Sequence, residues 1–376
     1  MVTVMSEKEE FIRLSKVSGT KMSELCLEFG ISRTTGYKWL NRYAQDVVKG
    51  LQEHSRRPHF SPHKTKAELE VLILNARSSH PSWGGAKIKE YLQNLGQEQM
   101  PSEKTVDRIL KRYGCINPEE SAKHKGFIRF EHENPNDLWQ MDFKGHFALS
   151  QGTRCHPLTL LDDHSRFSLL IQACADEQSS TVKQALITVF RTHGIPRQMT
   201  MDNGSPWGYS GNQRYTTLSA WLIRLGIKVS HSRPSHPQTQ GKLERFHRTL
   251  NLELLSRYQL EDFKEAQRAF DWWRKIYNEE RPHQAINFNV PKKRYCSSER
   301  PYPEILNPIE YSSDMSVRKV QAKGEIHFNG KIYIVGQGFS GQPVGIKENE
   351  KDGLLDIYFC HQKVLKIDLN NPCNYI

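Results

Sequence analysis

Three carboxylates, Asp142, Asp202 and Glu244, are the residues of this sequence best suited to chemistry. Asp142 lies in Leu138-Trp139-Gln140-Met141-Asp142-Phe143, where apolar and polar residues alternate as in a half-buried strand, so one face packs and the other presents the acid. Asp202 closes a second short apolar run, Gln198 to Met201, and Asn203-Gly204-Ser205-Pro206 then reverses the chain. Glu244 opens a helical pattern after a polar stretch, Ser235 to Lys242, whose Pro237 and Gly241 suit a loop and a helix start. Two strand-end acids and one helix-borne acid can converge, and the chemistry of such a trio is metal-dependent phosphoryl transfer. Mg²⁺ is a hard cation held by a few carboxylates together with substrate phosphate oxygens. A pair of such ions about 4 Å apart stabilises both the attacking and the leaving oxygen. Without a cation, three clustered carboxylates repel one another and raise one another's pKa values.

The helix register selects Glu244 among its neighbours. Leu243, Phe246, Leu250 and Leu254 form an apolar stripe, and Glu244 lies about 100° from Leu243, at the edge of the buried face. Glu253 falls about half a turn away from Glu244, and Glu261 lies beyond the helix end, so glutamine at either position is expected to leave the chemistry intact. Asp162 and Asp163 sit between two apolar runs in Asp162-Asp163-His164-Ser165-Arg166, where the expected role is turn formation.

Met141-Asp142-Phe143, Met201-Asp202-Asn203-Gly204-Ser205 and the long run from Pro234 to Arg248 resemble the three catalytic segments of the DDE transposases of bacterial insertion sequences, relatives of retroviral integrases. The resemblance extends to Tyr277-Asn278-Glu279-Glu280-Arg281-Pro282-His283-Gln284-Ala285 and covers roughly residues 134 to 291. About forty residues separate Asp202 from Glu244, a few more than the thirty-five usual in close integrase relatives, and the surplus is assigned to a loop, Gly208 to Gln213. The resemblance implies a ribonuclease-H-like mixed sheet with helices on both faces. It further implies a polynucleotidyl transferase in which Asp142, Asp202 and Glu244 are both the catalytic residues and the ligands of two Mg²⁺ ions, with Mn²⁺ able to substitute. The substrates implied are the terminal inverted repeats of a mobile element, cleaved to free a 3′-OH, and the target DNA to which that end is joined. The active form implied is a homo-oligomer assembled on DNA in the bacterial nucleoid.

The remainder of the chain supplies the elements around this core. Residues 1–50 read as a helix-turn-helix: Phe11, Leu14 and Val17 share one face, Gly30 suits the turn, and Ser32 can cap a recognition helix, Arg33 to Tyr43. After a basic linker at 51–65, a second helical module spans 66–114, with Leu69, Leu72, Ile73 and Ala76 inward and a helix capped by Ser102. A second linker, 115–133, leads into the catalytic core at 134–290; a proline-rich linker at 291–314 follows, then six short strands at 315–372 that form a small β-barrel. The fold class expected is thus multidomain, α and α/β, with a β module at the end. DNA contacts are expected from Arg33, Thr34, Lys38 and Arg42 on the first recognition helix, Arg56 and Arg57 in the linker, Lys104 and Arg108 on the second module, and Lys242, Arg245 and Arg248 beside Glu244.

Composition agrees with this reading and closes off others. The formal charge of +11 over 376 residues favours a polyanionic partner. The seven cysteines are scattered, with no Cys-x-x-Cys pair, which argues against a disulfide framework; His54, His59 and His63 likewise lack the cysteine pair that would complete a zinc module. No apolar run reaches the roughly 18 residues of a membrane span and no secretory pattern opens the chain, so a cytoplasmic location away from the membrane is expected. Two other functions fit parts of the pattern: a ribonuclease-H-type nuclease that stops after hydrolysis, and a DNA-binding regulator with an inert core. Helical DNA readers argue against the first, and three intact acids against the second.

Overall fold

The computed structural model describes residues 4–46, 49–51, 65–116, 131–208, 215–231, 241–349 and 353–369. Its chain divides into two compact units, residues 1–64 and 65–376.

The first unit holds three helices, α1 (Val4–Ser15), α2 (Met22–Glu28) and α3 (Arg33–Gln45). Phe11, Ile12, Leu25 and Cys26 are its buried centre, with Phe29 and Trp39 set edge-on against Phe11. Gly30 takes φ +61° between α2 and α3, a conformation that suits glycine. Ser32 caps α3 by accepting from the Thr35 amide at 3.2 Å. Gly36 permits the close approach of α3 to its neighbours, because a Cβ there would stand 2.8 Å from both Cys26 Sγ and Phe11 Cζ. Val17, expected inward, is 54% exposed because α1 ends at Ser15.

The second unit begins with α4 (Ala67–Ser79), α5 (Gly85–Asn94) and α6 (Glu103–Arg112), packed around Ile73, Trp83, Ile88, Val106 and Leu110. Leu72, also expected inward, is exposed, while Glu70 is buried and ion-paired to Arg112. Ser102 caps α6 as its position predicts, accepting from the Thr105 amide.

The centre of this unit is a mixed sheet made of β1 (Leu138–Phe143), β2 (Phe147–Ala148), β3 (Arg154–Asp162), β4 (Ser168–Cys174), β5 (Gln198–Met201) and β6 (Lys228–His231). β1 runs antiparallel to β3 and parallel to β5; β4 flanks β3, and β6 lies parallel to β5. Helices α7 (Ser179–His193) and α8 (Thr217–Arg224) cover one face with Trp139, Met141 and Met199; α9 (Gly241–Leu250) and α10 (Phe263–Glu279) cover the other with Leu161 and Ile171. The inward residues of α7 are the expected Val182, Ala185, Leu186, Val189 and Phe190. β1 is buried on both faces rather than half-buried, as a strand flanked by β3 and β5 between two helical layers must be, and Gln140 is only 3% exposed.

The C-terminal strands β7 (Ser316–Lys319), β8 (Glu325–Phe328), β9 (Lys331–Ile334), β10 (Pro343–Glu348), β11 (Leu354–Phe359) and β12 (Gln362–Asp368) fall where the alternation placed them. They form a four-stranded antiparallel sheet, β12-β11-β10-β7, and a separate β8-β9 hairpin turned by Asn329 and Gly330, both at positive φ. Their buried side chains belong to the same cluster as the central sheet. Gln362 satisfies an edge residue of that sheet from the side, donating to Val229 O and accepting from Val229 N, each at 2.8 Å. The proline-rich segment expected as a linker is likewise bound to the core. Tyr295 stacks on Phe167 at 4.2 Å, and the Arg300 guanidinium donates to Pro196 O and Gly226 O.

Candidate active site

The strand register brings the first two acids together. Leu138 pairs with Gln198 and Gln140 with Thr200 in parallel, and continuing the same offset sets Asp142 beside Asp202 on neighbouring strands about 4.8 Å apart. Side chains at matching positions of parallel neighbours point the same way. Asp142 shares its face of the sheet with Gln140, two residues earlier, and that face is the one α9 covers. Gly204 turns the chain directly after β5: its amide donates to Asp202 Oδ1 at 3.0 Å, and a Cβ there would press to 3.3 Å from Asp202 Oδ2.

Burial pushes the Asp142 carboxyl up to about 7, helped by the charge of Asp202 and, less strongly, those of Glu177 and Glu244, while a hydrogen bond with the Phe143 backbone opposes the rise. Burial also raises Asp202, against the Gly204 amide and the pull of His231. Glu244 stands in the first turn of α9 and is exposed, as the stripe of Leu243, Phe246, Leu250 and Leu254, all 1% exposed or less, requires. Among the described residues, no three His, Cys, Asp or Glu side chains are gathered closely enough to hold a metal ion. The structure thus brings Asp142 and Asp202 together and leaves Glu244 outside a closed cluster. The donor set suits a hard divalent cation: its oxygens are carboxylate, and each acid of the near pair is held above its ordinary range by burial and charge repulsion that a cation would relieve.

Two side chains that the sequence did not single out belong to this site. Glu177, in the loop between β4 and α7, accepts from His156 Nδ1 at 2.7 Å and adds a negative charge near both aspartates. Thr159 links β1 to α9: its hydroxyl donates to Asp142 O at 2.9 Å and so accepts from His247 Nε2 at 2.7 Å. Burial, with the nearby Lys144 charge, lowers His247 to about 4, so the imidazole is neutral and carries its proton on the nitrogen that faces Thr159. No local sequence pattern pairs Thr159 with His247, which lie 88 residues apart.

Of the expected DNA-contacting residues, Arg33, Thr34, Lys38 and Arg42 line one groove along α3 with Tyr37, Asn41 and Gln45. Lys104 and Arg108 are exposed one turn apart on α6, and Arg245 and Arg248 are exposed on α9. Arg56 and Arg57 lie outside the described residues, as do His54, His59 and His63, most of the 208–213 loop and the run from 232 to 240. Lys242 is corrected: its side chain, 18% exposed, turns inward onto Asp163, whose nearly complete burial demands a countercharge. Asp163 is corrected with it. Asp162 does form the turn, accepting from the Ser165 amide and hydroxyl, but Asp163 faces Gln140 and Lys242 instead.

The Asp142 shift predicts a pH dependence. A carboxyl raised on folding stabilises the folded chain below its unfolded pKa of about 4, and that contribution is lost as pH rises through about 7. In metal-free buffer, the difference in melting temperature between Asp142→Asn and the natural chain should therefore grow in the variant's favour from pH 4 to pH 7. Mg²⁺ should raise the natural chain's melting temperature more at pH 8 than at pH 5.5, since binding must displace the proton. Equal Mg²⁺ shifts at both pH values would contradict the assignment.

Family models match several parts of the chain. Two described as Integrase core domain match residues 132–237 and 225–291, and one described as IS481 family transposase, C-terminal domain, matches 315–372. A helix-turn-helix domain matches 7–59, and a homeodomain-like domain matches 35–110. Among curated proteins, the 31.7 kDa protein of insertion element IS407 from Burkholderia multivorans is 27% identical over 188 residues, a match that spans 50% of this chain and 63% of that protein. The transposase of transposon Tn552 from Staphylococcus aureus is 25% identical over 92% of this chain and 79% of its own length. Among solved structures, the HTLV-2 integrase catalytic core domain in complex with magnesium aligns over 43% of this chain and 97% of its own, at 17% identity and a TM-score of 0.34. The middle of the chain thus resembles integrase core domains, and the curated proteins it is similar to come from insertion elements and transposons.

Proposed function

We propose that this chain is the transposase of an insertion element, binding the element's terminal repeats, cleaving at the element ends and joining the freed ends to target DNA. The observation that supports this best is the parallel β1–β5 register, which seats Asp142 beside Asp202 on the sheet face crossed by the Glu244 helix. In the first reaction, water attacks a phosphodiester at the element end; the bond from phosphorus to the element's 3′ oxygen breaks, leaving a 3′-OH. In the second, that 3′-OH attacks a target phosphodiester, one P–O bond forms as another breaks, and the target's own 3′-OH departs. Two Mg²⁺ ions held at the site supply Lewis-acid stabilisation of the attacking and leaving oxygens, and Mn²⁺ is expected to substitute. Asp142, Asp202 and Glu244 would hold the ions, and Thr159 with His247 keeps β1 and α9 in register. The α3 groove and the Lys104–Arg108 face of α6 bind the terminal repeats, and several copies of the chain act together on them in the bacterial cytoplasm. No helix among the described residues is long and apolar enough to cross a membrane.

The test separates reading from cutting. The cut belongs after Lys64, because α4–α6 are part of the second unit. The full chain should footprint the element ends, and a chain lacking residues 1–64 should keep only the part of the footprint made by α6, with weaker end preference in its metal-dependent nicking. Log affinity should fall linearly with log salt, by about 0.9 per phosphate neutralised, and less steeply for the shortened chain. Equal footprints from the two chains would remove the reader assignment, and a salt slope near zero would remove the phosphate contacts.

A further inference from the structure

We infer that Asp163 is a positioning residue that sets the helix of Glu244 against the strand of Asp142. The inference rests on the transposase reading given above and deepens its account of that site.

Asp163 follows β3 in the turn to β4 and is 1% exposed. Its Oδ1 accepts from Gln140 Nε2 at 2.9 Å and lies 2.5 Å from Lys242 Nζ, and its Oδ2 accepts from the His132 amide at 3.0 Å. Gln140 is two residues before Asp142 on β1, and Lys242 is two residues before Glu244 in the first turn of α9. One carboxylate therefore grips both metal-binding elements at the same distance along the chain from their acids. The turn that carries it is itself fixed. Asp162 accepts from the Asn136 amide at 2.8 Å and from Ser165 N and Oγ, and Arg166, at φ +66°, donates to Glu131.

This arrangement answers a need specific to Glu244. Asp142 and Asp202 are placed by a hydrogen-bonded ladder, whose spacing the backbone dictates. Glu244 has no ladder; its position depends on how α9 lies across the sheet. The apolar stripe of Leu243, Phe246 and Leu250 holds the helix down but is non-directional and leaves sliding and rotation weakly opposed. The Thr159–His247 bond fixes the middle of α9, and the Asp163–Lys242 pair fixes its first turn. With two tethers the helix can neither slide nor roll, and a charge-assisted bond to a buried carboxylate is the stronger kind.

Amide hydrogen exchange of the full-length protein, without metal or DNA, reads the tether independently of catalysis. Asp163→Asn and Lys242→Gln should each speed exchange at Arg245 to Leu250 by about tenfold while leaving α10 amides unchanged, the scale of one lost charge-assisted bond. The double variant should exchange no faster than the more affected single variant, because both changes break one interaction. In cleavage assays with Mg²⁺, each single variant should lose about a hundredfold in kcat at unchanged affinity for terminal DNA, the scale of a reacting group displaced by about an ångström. Unchanged α9 exchange in both single variants, or equal acceleration of α9 and α10, overturns the inference. A natural chain that does not cleave overturns the transposase reading instead, and the exchange result still decides the tether.

Discussion

Asp142→Asn is expected to bind terminal DNA like the natural chain and to cleave it at least about a thousandfold more slowly. The reasoning is electrostatic. A metal ion bound at the sheet end would stabilise transition-state charge by several kcal/mol, and about 1.4 kcal/mol is a factor of ten in rate. Asn is nearly isosteric with Asp but carries no charge, so it keeps the β1 ladder while weakening the hold on the cation. Glu244→Gln should lose a comparable factor, because an exposed carboxylate on the first turn of α9 has no packing role for the amide to disturb. Glu261→Gln is the matched control: its side chain is exposed and precedes α10, and its backbone amide donates to Glu265 Oε2. Strand cleavage and joining on a labelled terminal repeat, with DNA binding measured beside it, checks all three. Joining that persists in Asp142→Asn, or that vanishes in Glu261→Gln while surviving in Glu244→Gln, would remove the assignment of the trio.

What was legible in the sequence was local. The alternation around Asp142, the short apolar run before Asp202 and the stripe behind Glu244 are patterns within a dozen residues, and each fixes an element, although β1 is buried on both faces where its alternation pointed to one. The cap at Ser32 and the turn at Asn329-Gly330 are equally short-range, and both stand where the residue types put them. Pairings across the chain were not legible. Asp163 looked like a second turn former because nothing near it in sequence shows that Gln140 and Lys242 both close on its Oδ1. Glu177 reads as an ordinary acid ahead of a helix until β3 brings His156 to it. The segment around Tyr295 and Arg300 has the composition of a linker, yet its backbone and its arginine complete hydrogen bonds at the ends of β5 and α8. In each case the deciding partner lies far along the chain, where periodicity carries no information.

Glu253 is where this difference has the largest measurable effect. The helix register correctly turns it away from Glu244, and from that alone Glu253→Gln is a silent change. Its surroundings reverse the expectation. A single π-helical turn, Asn251–Leu255, carries Glu253 into contact with the second helical module and α10. Its Oε1 accepts from Arg281 Nε at 3.0 Å and Ser82 Oγ at 2.9 Å, and its Oε2 accepts from Trp273 Nε1 at 3.2 Å. Both members of the ion pair are buried, at 8% and 9% exposure. Burial alone would raise the Glu253 carboxyl, yet the charge and hydrogen bond of Arg281, with Lys87 and Ser82, hold it below its ordinary value. A depressed carboxylate contributes stability above its unfolded pKa, near 4, and loses it as pH falls through the lower folded value. Removing the charge leaves Arg281 buried without its partner, a change that costs about 3 kcal/mol or more. Glu253→Gln should therefore lower the melting temperature of the full chain by several degrees at pH 7, and by progressively less as pH falls below the unfolded value of about 4, where the natural pair's contribution is itself being lost. Because Ser82 belongs to the loop between α4 and α5, the same variant should expose residues 65–116 to limited proteolysis before the central sheet opens. Arg281→Met with Glu253→Leu, which removes both charges together, should recover most of the loss. If Glu253→Gln melts with the natural chain at pH 7, the ion pair does not join the helical module to the core.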